Sequence, residues 1–112
     1  MHPLPDMIGA PLATAMTDIM TVPAGVVRQI TGAQVANVDG TNPVDVTLQW
    51  VDASNGNAVT RVAYNLEIPE KDARPISVAP LALHPDDRLQ AQASADGDAE
   101  ILISFFDLPE TA

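Results

Sequence analysis

Apolar and polar residues alternate with a period of two through most of this chain. In "VDVTLQWV" (44–51), Val44, Val46, Leu48 and Trp50 share one side while Asp45, Thr47 and Gln49 share the other. That is the pattern of a strand with one buried face. "VAYNLEI" (62–68) repeats it, with Val62, Tyr64, Leu66 and Ile68 predicted to point inward. "RLQAQAS" (88–94) does so again through Leu89, Ala91 and Ala93. None of these segments carries the i, i+3, i+4 stripe of an amphipathic helix, so no helix is predicted.

Two segments depart from simple alternation. In "VVRQITGAQVAN" (26–37) the apolar phase set by Val26 and Ile30 switches to Ala33 and Val35 after Gly32. A glycine at a phase slip predicts a bulge or a crossing between sheets. In "EILISFFDL" (100–108), Ile101, Ile103 and Phe105 take one face, and Leu102 and Phe106 take the other. A strand apolar on both faces is expected to be covered on both.

Turn chemistry separates the strands. "VDGTNP" (38–43), "DASNGN" (52–57) and "SADGDA" (94–99) each centre on Asp-Gly or Asn-Gly, pairs that tolerate positive φ in tight hairpins. "IPEKDARPI" (68–76) is a longer link bounded by Pro69 and Pro75. About seven strands at this spacing predict an all-β chain, a single antiparallel β-sandwich over residues 19–112.

Residues 1–18 read as an irregular N-terminal arm. Pro3, Pro5, Pro11 and Gly9 oppose a regular helix, yet Leu4, Met7, Ile8, Leu12 and Met16 are too apolar for a solvated tail. Such an arm is expected to lie on its own sandwich or on a neighbouring subunit. The candidate partner-binding residues are therefore Leu4, Met7, Ile8 and Leu12 of the arm, with Leu102 and Phe106 of the last strand.

Charge and composition remove several function classes. A chain of 112 residues is the size of one domain. Its net charge of −10, with only five scattered basic residues, opposes a nucleic-acid surface. The acids gather late: Asp86, Asp87, Asp96, Asp98, Glu100, Asp107 and Glu110 face only Arg88. They form a solvated rim, a surface for a basic neighbour, or a collector of divalent cations. Without cysteine there is neither a disulfide nor a thiolate metal site. No apolar run reaches the ~18 residues of a membrane span, and the N-terminus lacks a basic leader region. Synthesis in the cytoplasm is expected.

"LHPDDRL" (83–89) is the one stretch that invites a chemical reading, with His84, Asp86 and Asp87 as metal ligands or as a base and its orienter. Adjacent aspartates on a strand point to opposite faces, and Pro85 suits the second position of a type I turn. The stretch is predicted to be a turn. "DGDAE" (96–100) falls short of a calcium loop and reads as a hairpin tip. Trp50 and Tyr64 are expected in the core. No nucleophile–base pair can be assembled, so neither an enzyme nor a metal or cofactor is expected.

Taken together, "TVPAG", "VVRQI…VAN" ending at Asn37, "VTLQWV", "LALHPDDRLQAQAS" and "ILISFFDL" resemble a family of small β-sandwich virion proteins of tailed bacteriophages. The resemblance covers about residues 20–107, and departs where the family's Gly-Asp turn reads Asp86-Asp87. It implies a virion structural protein that binds other virion proteins, the major capsid protein foremost, as a homo-oligomer. Head decoration comes first among the roles it implies. A neck or tail component, or a receptor- or carbohydrate-binding module at a tail tip with Phe106 as its aromatic, are the alternatives.

Overall fold

A computed structural model describes residues 5–78 and 81–110. Nine strands follow in chain order: β1 (Asp6–Pro11), β2 (Thr17–Thr21), β3 (Val26–Asn37), β4 (Val44–Asp52), β5 (Ala58–Ile68), β6 (Ala73–Ile76), β7 (Leu81–Leu83), β8 (Arg88–Ala93) and β9 (Ala99–Pro109). A single 3-10 turn, Ala53–Asn55, joins β4 to β5.

The pairings nest. β4 pairs with β5, β3 with both β6 and β7, β2 with β8, and β1 with β9, all antiparallel. The chain is thus one long two-stranded ribbon folded back at the β4–β5 turn. Rolling that ribbon brings β3 against β9 and β4 against β8. The outcome is a larger sheet ordered β1-β9-β3-β6, with β7 also on β3, and a smaller one ordered β2-β8-β4-β5. This winding of two packed sheets is the jelly roll.

The alternation seen in the sequence lines the core. On β9, Ala99, Ile101, Ile103 and Phe105 are buried; on β8, Leu89, Ala91 and Ala93 are. Val44, Val46 and Leu48 of β4 are buried beside those of β8 in the smaller sheet, and Ile30 and Val35 of β3 beside those of β9 in the larger. The expected phase slip on β3 is a bulge between Ile30 and Gly32. Ser104 packs over Gly32 there, 3.2 Å from where a β-carbon would stand, and Thr31 Oγ1 donates to Ser104 Oγ at 2.9 Å.

Three expectations give way to a different local structure. The strand count rises from about seven to nine, because the link around Pro75 is itself strand and because Asp6–Pro11, expected to be irregular, pairs with Glu100–Phe105 of β9. Backbone pairing outweighs the prolines here, since Pro11 sits at the end of an edge strand, where a missing N–H costs nothing. Tyr64, expected inside, is 68% exposed. Asn65 adopts a φ of 48° at a bulge where Val46 faces Leu66 and Leu48 faces Ala63. That extra residue turns Tyr64 outward while Val62, Ala63 and Leu66 stay against the core. Trp50 is half-buried and packs on the core as expected.

Candidate functional site

The His84–Asp87 segment is a turn, of type II rather than the expected type I. Asp87 N donates to His84 O at 3.1 Å, and Asp86 in the third position has a φ of 71°. Type I would place that residue near −90°. Asp86 therefore occupies the left-handed conformation that favours glycine. Asp86→Gly is expected to raise stability by up to about 1 kcal/mol, since relief of left-handed strain exceeds the entropy of a freer unfolded chain. Urea midpoints of the two proteins test this; a lower midpoint in the variant would show that the Asp86 side chain stabilises the turn in its own right.

Asp87 is the hub of this turn and is 1% exposed. Its carboxylate accepts from His84 N at 3.0 Å, Ala53 N at 3.0 Å and Trp50 Nε1 at 3.2 Å. Val22 N donates to Asp87 O, and Asp86 N donates to Val22 O, both at 2.9 Å. The Val-Pro turn and the Asp-Asp turn, far apart in sequence, are thus bound to each other. Asn37 plays a similar part at the opposite end of β3, donating to Asn42 O and Ile68 O and accepting from Asp39 N. These groups are engaged in holding loops. Among the described residues no three His, Cys, Asp or Glu side chains gather into a metal site.

The acidic turn at 96–98, expected as a hairpin tip, instead links β8 of the smaller sheet to β9 of the larger, and it is tied into the frame. Asp96 Oδ1 accepts from Thr14 N at 2.7 Å, and Gly97 N donates to Leu12 O at 2.9 Å. Asp98 holds its proton above the ordinary carboxylate range because of desolvation and the Asp39 carboxylate beside it. Asp39 lies below that range, chiefly through the hydrogen bond from the Thr41 backbone.

The other end of the sandwich is closed by Arg28. Its guanidinium grips Asp107 with two bonds, at 2.7 and 2.9 Å, and lies 4.1 Å from the centroid of the Phe105 ring. The hydrogen bonds from Arg28 hold the Asp107 carboxyl below its ordinary range. A lowered carboxyl stabilises the fold above the ordinary carboxylate value and loses that contribution as pH falls through the lowered one. Asp107→Asn is expected to cost about 1 kcal/mol at neutral pH, a figure reduced for partial exposure. It should also flatten the acid limb of a urea-midpoint series run down to about pH 2. An unchanged limb would assign acid sensitivity to other carboxylates.

The two outer faces differ in chemistry. On the smaller sheet a polar row crosses three strands: Gln49 Nε2 donates to Gln90 Oε1, and Gln90 Nε2 and Arg88 donate to Asp18 Oδ1. On the larger sheet, Met7 of β1 is 56% exposed, and Leu102 and Leu108 of β9 are 41% and 36% exposed. Gly9 lies opposite Leu102, and Gly32 opposite Ser104. These glycines leave depressions on either side of the Leu102 side chain, of about 400 and 240 Å³.

The sequence-derived partner residues divide on this geometry. Met7 and Leu102 stand together on the outer face and line one depression. Phe106 shares that side, opposite Gln29, but is half-buried. Ile8 lies opposite Ile103, half-buried against the core, and Leu12 is 2% exposed within it. Leu4 lies outside the described residues. What sequence reasoning missed is the pair of glycines: only the cross-strand register shows that they flank Leu102.

No family model matches the chain, and no curated protein matches it in sequence. Its fold is similar to that of known structures. One is a chain from the acidic-stable capsid of Helicobacter pylori bacteriophage KHP30, with TM-score 0.59 and 12% identity over 96% of this chain and 89% of that one. Another comes from the Bacillus endospore appendages, a family of disulfide-linked pili, with TM-score 0.58 and 11% identity over 98% and 88%. A looser likeness is to a pentameric capsid protein from metagenomic phage sequences, with TM-score 0.42 and 14% identity over 92% and 62%. At these identities the likeness is one of fold: the jelly roll of this chain is an architecture also found in a phage capsid and in a bacterial surface filament.

Proposed function

We propose that this chain is a structural component of a bacteriophage virion, a decoration protein that lies on the assembled head with the outer face of its larger sheet toward the shell. One observation carries this reading: the larger sheet gathers exposed Met7 and Leu102 beside two depressions, with Leu108 on the same face, whereas the exposed apolar residues of the smaller sheet, Val59 and Tyr64, lie on its edge strand β5 and its middle is a hydrogen-bonded polar row. β9 and β3 run 11 and 12 residues, β1 covers six, and β6 and β7 cover four and three, so the face offers roughly 600 Å². Specific interfaces bury about 600–1,000 Å² on each partner. The face is therefore of the right size to hold a subunit in place, and its apolar centre with a polar rim is the usual anatomy of an interface core. The role is non-catalytic, the site of action is the virion after synthesis in the host cytoplasm, and closed homo-oligomers are the expected arrangement on a symmetric shell.

Gold label on intact particles tests the location. Label spread over the head supports decoration, whereas label confined to the neck or tail replaces it with the connector reading. The variant Leu102→Asp tests the face: particle occupancy should fall at least about tenfold, with the melting temperature unchanged because Leu102 is exposed. Full occupancy by this variant would discard the face. The likeness to the spore-appendage chain favours a second reading, a filament subunit. Without cysteine, this chain's own residues cannot supply a disulfide link between subunits, and label along filaments is the result that would revive it.

A further inference from the structure

We infer that the depression around Glu100 receives a lysine or arginine side chain from the partner that lies on this face. The inference rests on the docking reading for the identity of its partner, but its test does not. β9 places Glu100 on the outer side, opposite Pro11 of β1 and Ala36 of β3. With Gly9, Gln34 and Leu102 these residues line the 400 Å³ depression. Of the lining side chains only the Gln34 amide can donate, and among the described residues it makes no hydrogen bond to Glu100, which stands as a carboxylate on a largely apolar floor. The ion pairs among the described residues use Asp107, Asp72 and Asp18, and leave Glu100 without a cation. A long basic side chain is complementary to such a floor: its methylene stem covers apolar surface and its charged head reaches the carboxylate. The Gln34 amide oxygen is a further acceptor, and the net charge of −10 attracts a cationic segment from a distance.

The second depression, lined by Met7, Gly32 and Ser104 among others, holds no ionisable side chain and suits an apolar group. Glu100 and Ser104 are four positions apart on one strand face, about 14 Å along it. Positions i and i+4 of an extended segment have that separation and point the same way. The occupant is therefore an extended stretch of a partner protein with a basic and an apolar residue four apart. A second copy's arm does not fit, since the first Lys or Arg in this chain is Arg28.

The test uses the full, isotope-labelled chain and two end-blocked peptides, Ser-Lys-Thr-Ser-Thr-Leu-Ser and the same peptide with Glu for Lys. The lysine peptide should shift the amide resonances of Gly9, Gln34, Ala36, Glu100 and Leu102. Its affinity should fall about fivefold in Glu100→Gln, an exposed pair being worth no more, and beyond about tenfold in Glu100→Lys. Higher salt should weaken it. Equal shifts with the glutamate peptide, shifts elsewhere, no shifts, or undiminished binding by Glu100→Lys would each overturn the inference. On particles, wild-type chain that labels none refutes the virion reading and leaves the peptides to decide this one. Equal labelling by wild type and Glu100→Lys refutes the inference while the virion reading stands.

Discussion

Asp87→Ala is expected to destabilise the fold by about 4 kcal/mol, the largest effect of any single surface-loop substitution in the chain. Three donors now aimed at one buried carboxylate would lose their acceptor together: His84 N, Ala53 N and Trp50 Nε1. A buried donor left unpaired costs about 1–3 kcal/mol. Asp87→Asn should cost about half as much. Two of the bonds fall on Oδ2 and one on Oδ1, so a single amide oxygen can keep the pair while the amide nitrogen opposes Ala53 N–H. A domain of this size holds about 5–15 kcal/mol in total, so the alanine variant should melt roughly 15 °C lower. Trp50 is the single tryptophan, and its fluorescence follows both the unfolding and the loss of the Asp87 contact. If Ala and Asn variants unfold at the wild-type midpoint, the carboxylate is not the hub described above.

Removal of residues 1–16 should abolish cooperative folding, which makes it unusable as a probe of docking. The deletion strips β1 from β9 over six paired positions and takes Leu12 out of the core. Truncating a buried leucine to alanine alone costs about 2–5 kcal/mol, and the strand's hydrogen bonds are lost in addition. Ala93 N and Gly97 N would also lose their acceptors on Ala13 and Leu12. Thermal melts followed by circular dichroism decide the matter: a truncated chain that unfolds sharply near the full-length temperature would show that β1 is an appendage after all. Whether Leu4 contributes to the proposed particle binding is read separately by deleting Met1–Leu4, which leaves β1 its full length.

The sequence was most informative where each residue answers to one face. The alternations in 44–48, 88–94 and 99–105 correspond to strands whose inward side chains are buried as expected. The slip at Gly32 was legible because a glycine and a phase change coincide. Tyr64 was not, because Asn65 at positive φ adds a residue to the strand without any glycine to announce it. The strand Asp6–Pro11 is hidden for a related reason: prolines and a glycine oppose a helix, but they do not forbid an edge strand whose partner is almost a hundred residues away. Leu102 was legible as an outward apolar residue from its parity on β9. The depressions beside it depend on Gly9 and Gly32, which only long-range register brings next to it.

The nested ribbon also dictates the order in which this molecule can be completed. β4 and β5 meet across a short turn and can zip as soon as both exist, whereas β1 must wait for Glu100–Phe105. Closing so long a loop carries an entropic cost that nearby contacts must offset first, and topologies dominated by distant pairings fold in milliseconds to seconds. β9 is synthesised after both of its neighbours, β1 and β3, and fills the gap between them. Until it does, Met7 has no strand beside it and neither depression exists. A nascent or half-folded chain therefore presents no finished outer face on its larger sheet, and under the proposed docking only subunits that have closed their final strand would be competent to join a shell.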